Sequence, residues 1–347
     1  MKKNACYLYL FLNILLTSCT NNSNSPIKHF AGKPVEKIYP SKIVDLEEFG
    51  VLRPFHFIQI DDSIFVIQDL KNENIFNLIN LSSKKVIRGV SKGQGPAEVL
   101  TPSVLQYRNN KILIYDAYPQ KRMYELIVSS DSTLVIKEAY RIDTDVIIIY
   151  AVNQLDTTFI ATGQFEEFWL AEMNQDGKIF STIDFPEWEE TSNVAGTTHS
   201  SLYLMTLMAN SPDNKRVAVT RGKQGIISFL NRTESGIKEY KQIKYHAPLF
   251  RVDARGSIAY SRDNVEGFQD IACDDNYVYA IYSGRTFNSH QMLDDLCEHL
   301  LVYDWEGNPV KRYILDMPLH KMTYHKERNR IYGLGENPEG VLVEYQL

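Results

Sequence analysis

The side chains best equipped for chemistry gather in a few short segments. His290, Asp294, Asp295, Cys297, Glu298 and His299 crowd together near the C-terminal third. His290 and Asp294, like Asp295 and His299, stand one helical turn apart, a spacing that can set two metal ligands on one face. The plainer reading is a solvated helical insert capped by Asn288 or Ser289. His290, Asp294, Asp295 and His299 are therefore weak metal candidates, and neither a metal nor any other cofactor is assigned. Arg53, Arg251, Arg255, Arg262 and Arg285 form a second group in or beside loops. Guanidinium forks there suit an anionic ligand such as a carboxylate or a sulfated sugar, with solubility and local ion pairing as the plainer role. A third segment, Ser91-Lys92-Gly93-Gln94-Gly95-Pro96-Ala97-Glu98, makes a rigid turn whose backbone can approach a partner closely. Its G-x-G follows no parallel strand into a helix, so a phosphate loop is a poor reading. Lys92 and Glu98 are candidate contacts, although Glu98 can equally cap its own turn. H-E-x-x-H does not occur, and no residue is assigned a catalytic role.

A repeated hairpin positions these groups. Leu300 to Asp316 reads as two strands around the turn Trp305-Glu306-Gly307-Asn308-Pro309. The same unit recurs from Phe168, Gly225 and Ile75, and each copy is preceded by a second strand pair. Self-similarity at a 40–50-residue period predicts a propeller. The expected fold is all-β, a six-bladed propeller of four-stranded antiparallel blades spanning 35–347. Blades one to five take their first strands from Phe55, Ser103, Val146, Tyr203 and Gly267. Blade six has three C-terminal strands, from His320, Arg330 and Val341, and borrows Val35 to Leu46 as its outer strand, which closes the ring.

Connection lengths are asymmetric. The turns within strand pairs are tight and carry Asn, Asp and Gly. The long connections run Val90 to Pro102, Phe185 to Leu202, Tyr245 to Glu266 and Ser283 to His299, and in a propeller all of these emerge on one face. Long loops carry function more often than tight turns, so the ligand is expected on that face. The channel beneath it is expected to present His56, Gln106, Tyr150, Asn210, Gln269 and His325 from the inner strands. Cys273 and Cys297 fall at opposite ends of blade five, about 20 Å apart and beyond disulfide reach.

At the start, Lys2 and Lys3 precede a short apolar run, Tyr7 to Leu16, too short for a permanent span. Leu16-Thr17-Ser18-Cys19 resembles a bacterial lipobox. Residues 1–18 are thus expected to be a lipoprotein signal peptide, Cys19 the lipidated first residue, and the Asn/Ser-rich 19–34 a flexible tether. Removing the two lysines takes the formal charge from -6 to -8, which argues against nucleic acid as a partner.

Ser91 to Glu98 resembles the G-[KR]-G-x-G-P-x-E motif of TolB-like six-bladed propellers, common among Bacteroidota lipoproteins, with Ala97 where a second glycine is usual. Tyr282-Ser283-Gly284-Arg285 is similar to that family as well. The resemblance implies a propeller in the cell envelope and no particular reaction. The function expected is a lipid-anchored, periplasm-facing binding protein, not an enzyme. It would take a protein, carbohydrate or peptide on the long-loop face through Arg53, His56, Lys92, Glu98, Arg255, Arg262 and Arg285. The alternative is a metal-dependent hydrolase or lyase at the mouth of the channel.

Overall fold

The computed structural model describes residues 25–291, 295–336 and 340–347. Cys19 and Asp294 lie outside the described residues. Blade one comprises Pro54–Gln59, Ile64–Asp69, Asn74–Asn80 and Lys85–Lys92. Blade two comprises Pro102–Arg108, Lys111–Asp116, Arg122–Val128 and Leu134–Arg141. Blade three comprises Ile149–Gln154, Phe159–Gly163, Leu170–Met173 and Ile179–Ile183. Blade four comprises Thr206–Asn210, Arg216–Arg221, Gly225–Thr233 and Gly236–His246. Blade five comprises Phe268–Cys273, Tyr277–Tyr282, Cys297–Asp304 and Pro309–Leu319, and blade six has Lys321–His325, Arg330–Glu336 and Gly340–Gln346. Within each blade the strands pair antiparallel in chain order. Below they are called strands A to D from the inside outward.

Alternation along the middle strands builds the core, because each blade must bury both faces. Val217 and Val219 of blade four point toward blade three, where they join Ile160 and Trp169. Ala218, between them, points the other way and joins Phe229, Val278 and Tyr303 at the junction with blade five. Every neighbouring pair of blades has such a cluster, including blade six with blade one, where Tyr332 and Leu334 meet Phe57 and Phe65. That last cluster closes the ring. Burying one such side chain is worth about 1.5–3 kcal/mol, so the interfaces between blades hold the toroid together. Blades one and two also join edge to edge through the single pair Leu134 and Gly89. A β-carbon at Gly89 would sit 1.9 Å from the Leu134 carbonyl oxygen, so only glycine permits that approach.

The N-terminal segment departs from expectation in two ways. Val35–Ile38 and Lys42–Asp45 are separate strands on different blades. Lys42–Asp45 pairs antiparallel with the outer edge of blade six, Lys42 opposite Glu344 and Asp45 opposite Val341. Val35–Ile38 instead adds a fifth, parallel strand to blade five, Val35 opposite Arg312 and Ile38 opposite Leu315. Pro40 interrupts the run between them, because it has no N–H for a ladder. The chain therefore crosses from one blade to the next and straps both. Second, 25–34 is not a loose tether. Ser25 caps the short helix Pro26–His29, and Phe30, 1% exposed, inserts among residues of blades four and five. His29 Nδ1 lies 2.7 Å from the Tyr245 hydroxyl.

Candidate functional site

A cavity of about 860 Å³ occupies the ring axis and takes lining residues from strand A of all six blades. It opens on the long-loop face, since Leu52, Arg53, Lys71, Lys223 and Glu266, from the connections at that end, also line it. The long connections pack on one another above blades three to five. Thr198 Oγ1 donates to Gly256 O at 3.2 Å. Asn288 N donates to Arg262 O at 3.1 Å, and Glu266 N donates to Arg285 O at 2.8 Å. The segment 247–266 carries its own hairpin, Phe250–Val252 against Ile258–Tyr260.

The ends of strand B decide how the connections reach strand A. In blade one Asp69 is fully buried and accepts from Leu52 N at 2.7 Å, Arg53 N at 3.1 Å and Lys71 N at 2.9 Å. In blade two Asp116 occupies the same register position and accepts from Leu100 N at 3.2 Å and Thr101 N at 2.6 Å. These carboxylates satisfy backbone donors that would otherwise be stranded. In blade four the matching position, opposite Thr206, is Arg221. There the polarity is inverted: Arg221 Nε donates to Leu202 O at 2.8 Å.

Five cationic side chains line the cavity: Arg53, Lys71, Arg221, Lys223 and Lys321. Four carboxylates do so: Glu266, Asp270, Asp295 and Glu336. Lys223 forms an ion pair with Glu266. At the junction of blades five, six and one, Lys321 Nζ donates to Gln269 O at 3.3 Å. Beside it, Asp270 accepts from Met322 N at 2.9 Å and from Ile271 N at 3.0 Å. Burial pushes the Asp270 carboxyl above its usual range, against the opposing pull of Lys321. Burial first, and Lys321 second, depress His56 to about 3 and His320 to about 4. Both imidazoles are neutral at physiological pH and available to donate and accept hydrogen bonds. His56 Nδ1 contacts Gln68 Oε1 at 3.1 Å. Toward the tight-turn end, amides link successive blades. Gln106 Nε2 donates to Asn153 Oδ1 at 2.7 Å, and Asn153 Nδ2 donates to Asn210 Oδ1 at 2.8 Å. These bonds occupy Gln106 and Asn210 with structure.

Of the residues singled out from sequence, His56, Gln106, Tyr150, Gln269 and Asp295 line the cavity, and Arg53 stands at its rim. The others do not converge there. Lys92 ends the outer strand of blade one and Glu98 lies just beyond it, where Ser91 and Lys92 pair in parallel with Glu98 and Val99. Glu98 Oε2 accepts from Gly95 N at 2.8 Å, and a β-carbon at Gly93 would sit 2.0 Å from the same oxygen. The glycines of that motif make room for a carboxylate that closes its own turn. Arg255 is exposed at the tip of the 250–260 hairpin. Arg262 lies over the Phe287 ring at 5.1 Å, and Arg285 pairs with Glu298. His325 faces Asp62 and Glu327 on the tight-turn side.

The weak metal candidates are dispersed. His290 is exposed at the end of the four-residue helix Phe287–His290, which Thr286 caps, not Asn288 or Ser289. Asp295 lines the cavity, whereas His299 sits on strand C of blade five under the fields of Arg312 and Arg285, a poor place for a cation. Among the described residues no group of three or more His, Cys, Asp or Glu side chains is placed to hold a metal ion. Cys273 and Cys297 are both free thiols. Sequence reasoning missed Arg221, Lys321, Asp270 and His320. For Arg221 a signal existed: strand B ends in Ile-Gln-Asp in blade one, Ile-Tyr-Asp in blade two and Val-Thr-Arg in blade four.

No curated protein matches the chain in sequence. Among solved structures it is similar to a calcium-binding protein, regucalcin, from Agrobacterium tumefaciens. That match has a TM-score of 0.51 at 11% identity, over 90% of this chain and 96% of the other. The β-propeller domain of Cps50 (Swd1) from Myceliophteria thermophila is similar at a TM-score of 0.50 and 8% identity, over 89% and 99% of the two chains. Likenesses this distant speak for the propeller fold alone. The family profile described as TolB-like 6-blade propeller-like matches residues 32–327, and with the six blades closed around one axis, the chain belongs to that family.

Proposed function

We propose that the protein is a binding module of the cell envelope, anchored through lipid on Cys19 and facing the periplasm, whose central cavity takes a small polar ligand such as a carbohydrate or peptide. One observation carries the reading: an 860 Å³ cavity on the axis, lined by charged, amide and apolar side chains and open on the long-loop face, of the size that encloses a small molecule. Neutral His56 and His320 offer hydrogen bonds of both senses, and the lining charges nearly balance. Such a surface suits a ligand rich in hydroxyls and amides. A metal-dependent reaction has less support, because no ligand set converges among the described residues.

The test combines localisation and retention. Cys19→Ser should move the protein from the membrane to the soluble fraction, and unchanged membrane fractionation would place the anchor elsewhere. The purified soluble form is then incubated with small-molecule envelope extract, washed and analysed by native mass spectrometry. Wild type should retain a ligand. Gln269→Trp, which fills the channel from strand A of blade five, should not. Equal retention by both proteins would rule out the cavity as the binding site.

A further inference from the structure

Arg221 is 3% exposed, yet it lines the cavity. A buried guanidinium is normally matched by a carboxylate, because taking the charge out of water is costly without one. Among the described residues no carboxylate pairs with Arg221. Its Nε donates to Leu202 O at 2.8 Å, and Nη2 reaches the Tyr260 hydroxyl at 3.5 Å, the outer limit of a hydrogen bond. The nearby Glu266 is engaged by Lys223. This corner therefore holds two cations and one anion, a net positive charge in a chain whose formal charge is -6.

A purely architectural role does not require arginine here. Asp69 and Asp116 secure their connections from the matching position in blades one and two, with every contact directed at local groups of the blade. The Leu202 carbonyl uses one donor of Arg221, and Gln224 Nε2 also donates to that oxygen at 3.4 Å. Nη1 and Nη2 are left with one weak contact, to Tyr260, in a residue that lines the cavity. Phenols surround it. Burial pushes Tyr150, Tyr203 and Tyr260 upward, and the Arg221 charge draws each back, which places all three within its field. Tyr150 lines the cavity, and its hydroxyl has no hydrogen-bond partner among the described residues. A planar fork beside a free phenol donor fits a carboxylate, which accepts two parallel N–H bonds and a third from O–H.

We propose that Arg221, with the Tyr150 hydroxyl, forms a carboxylate subsite in the wall of the cavity, so that the ligand is acidic: a uronic acid or a peptide C-terminus. This rests on the cavity being the binding site and names the group recognised there.

The test uses the Cys19→Ser protein and calorimetry at fixed ionic strength with two matched pairs: glucuronate against glucose, and acetyl-alanine against its amide. At least one acid should bind about tenfold or more tighter than its neutral partner, the scale of one charge-assisted interaction. The pair that shows the preference identifies the source. Arg221→Met should abolish the preference. Tyr150→Phe, which breaks no hydrogen bond within the protein, should reduce it several-fold and guards against a folding defect in Arg221→Met. The inference is overturned if neither acid is preferred by wild type, or if both variants keep the full preference. A ligand retained from extract equally by wild type and Arg221→Met, but lost in Gln269→Trp, would overturn this inference alone. Acid binding through Arg221 with no ligand retained from extract would overturn the proposed function and leave the subsite standing.

Discussion

Phe30→Ala tests the docking of the N-terminal segment. The Phe30 ring lies 5.0 Å from Tyr303 at an interplanar angle of 84°, an edge-to-face pair, and packs beside Phe229 and Tyr245. Removing a buried phenylalanine costs about 3–5 kcal/mol, the transfer of the ring plus the void left behind. The pair with Tyr303 accounts for about 0.5–1.5 kcal/mol of it. There is a ceiling, however: the segment can peel away, and the loss cannot exceed the free energy with which it docks. With roughly 2 cal/mol/K of unfolding entropy per residue over a domain of this size, the full loss lowers the melting temperature by about 5–7 °C. Calorimetry should show that drop. Hydrogen exchange should show faster exchange of the Phe30 and Lys33 amides, which donate to Pro26 O and Phe30 O at 3.1 Å. Phe30→Leu should recover most of both effects. If Phe30→Ala melts within about 1 °C of wild type and both amides exchange as before, the segment is not part of the cooperative fold.

Three further outcomes are expected. His56, His246 and His320 all have pKa values lowered by burial, to about 3, 4 and 4. The unfolded chain therefore binds more protons between pH 6.5 and 4, and stability should be complete above pH 6.5 and fall on acidification by up to about 1.4 kcal/mol per pH unit for each histidine. Urea midpoints at pH 7 and pH 5 measure this, and His320→Gln should flatten the slope; equal midpoints at the two pH values would contradict the burial. Glu98→Ala should destabilise the protein by about 1–3 kcal/mol through loss of the charge-assisted bond to Gly95 N, without altering ligand retention, and weakened retention would draw the outer turn into the site. Trp305 is 2% exposed, donates from Nε1 to Asp274 O at 3.1 Å and carries Arg216 over its ring at 4.6 Å. Trp305→Phe should lower the urea midpoint by the equivalent of about 1–3 kcal/mol, and an unchanged midpoint would mean that the Asp274 carbonyl is satisfied some other way.

The sequence alone determined the fold class and the blade boundaries. Turn residues and alternation are local properties, written within about twenty residues of each strand pair. Asn110 and Asn214 take positive φ of 59° and 58°, and Gly307 takes 79°, as the tight turns require. Glu98 was legible to the same degree, since both readings of it turned on its own motif. Tertiary structure decided what depended on distant partners. Whether Val35 to Leu46 is one strand or two depended on where the outer edges of blades five and six lie, and no local pattern encodes that. Phe30 sits in an Asn/Ser/Pro-rich stretch that looks like a tether until Tyr303, far along the chain, supplies a surface to cover. The cavity is the strongest case. Loop length pointed to the face on which the cavity opens, but the arginines picked out on loops, Arg255, Arg262 and Arg285, are exposed or paired. Arg221, Lys321, Asp270 and His320 come from strand ends that read as ordinary core-flanking polar residues. They line one cavity only because the ring closes and brings the inner strands of all six blades around one axis, where burial removes water and leaves Arg221 without a counter-charge among the described residues.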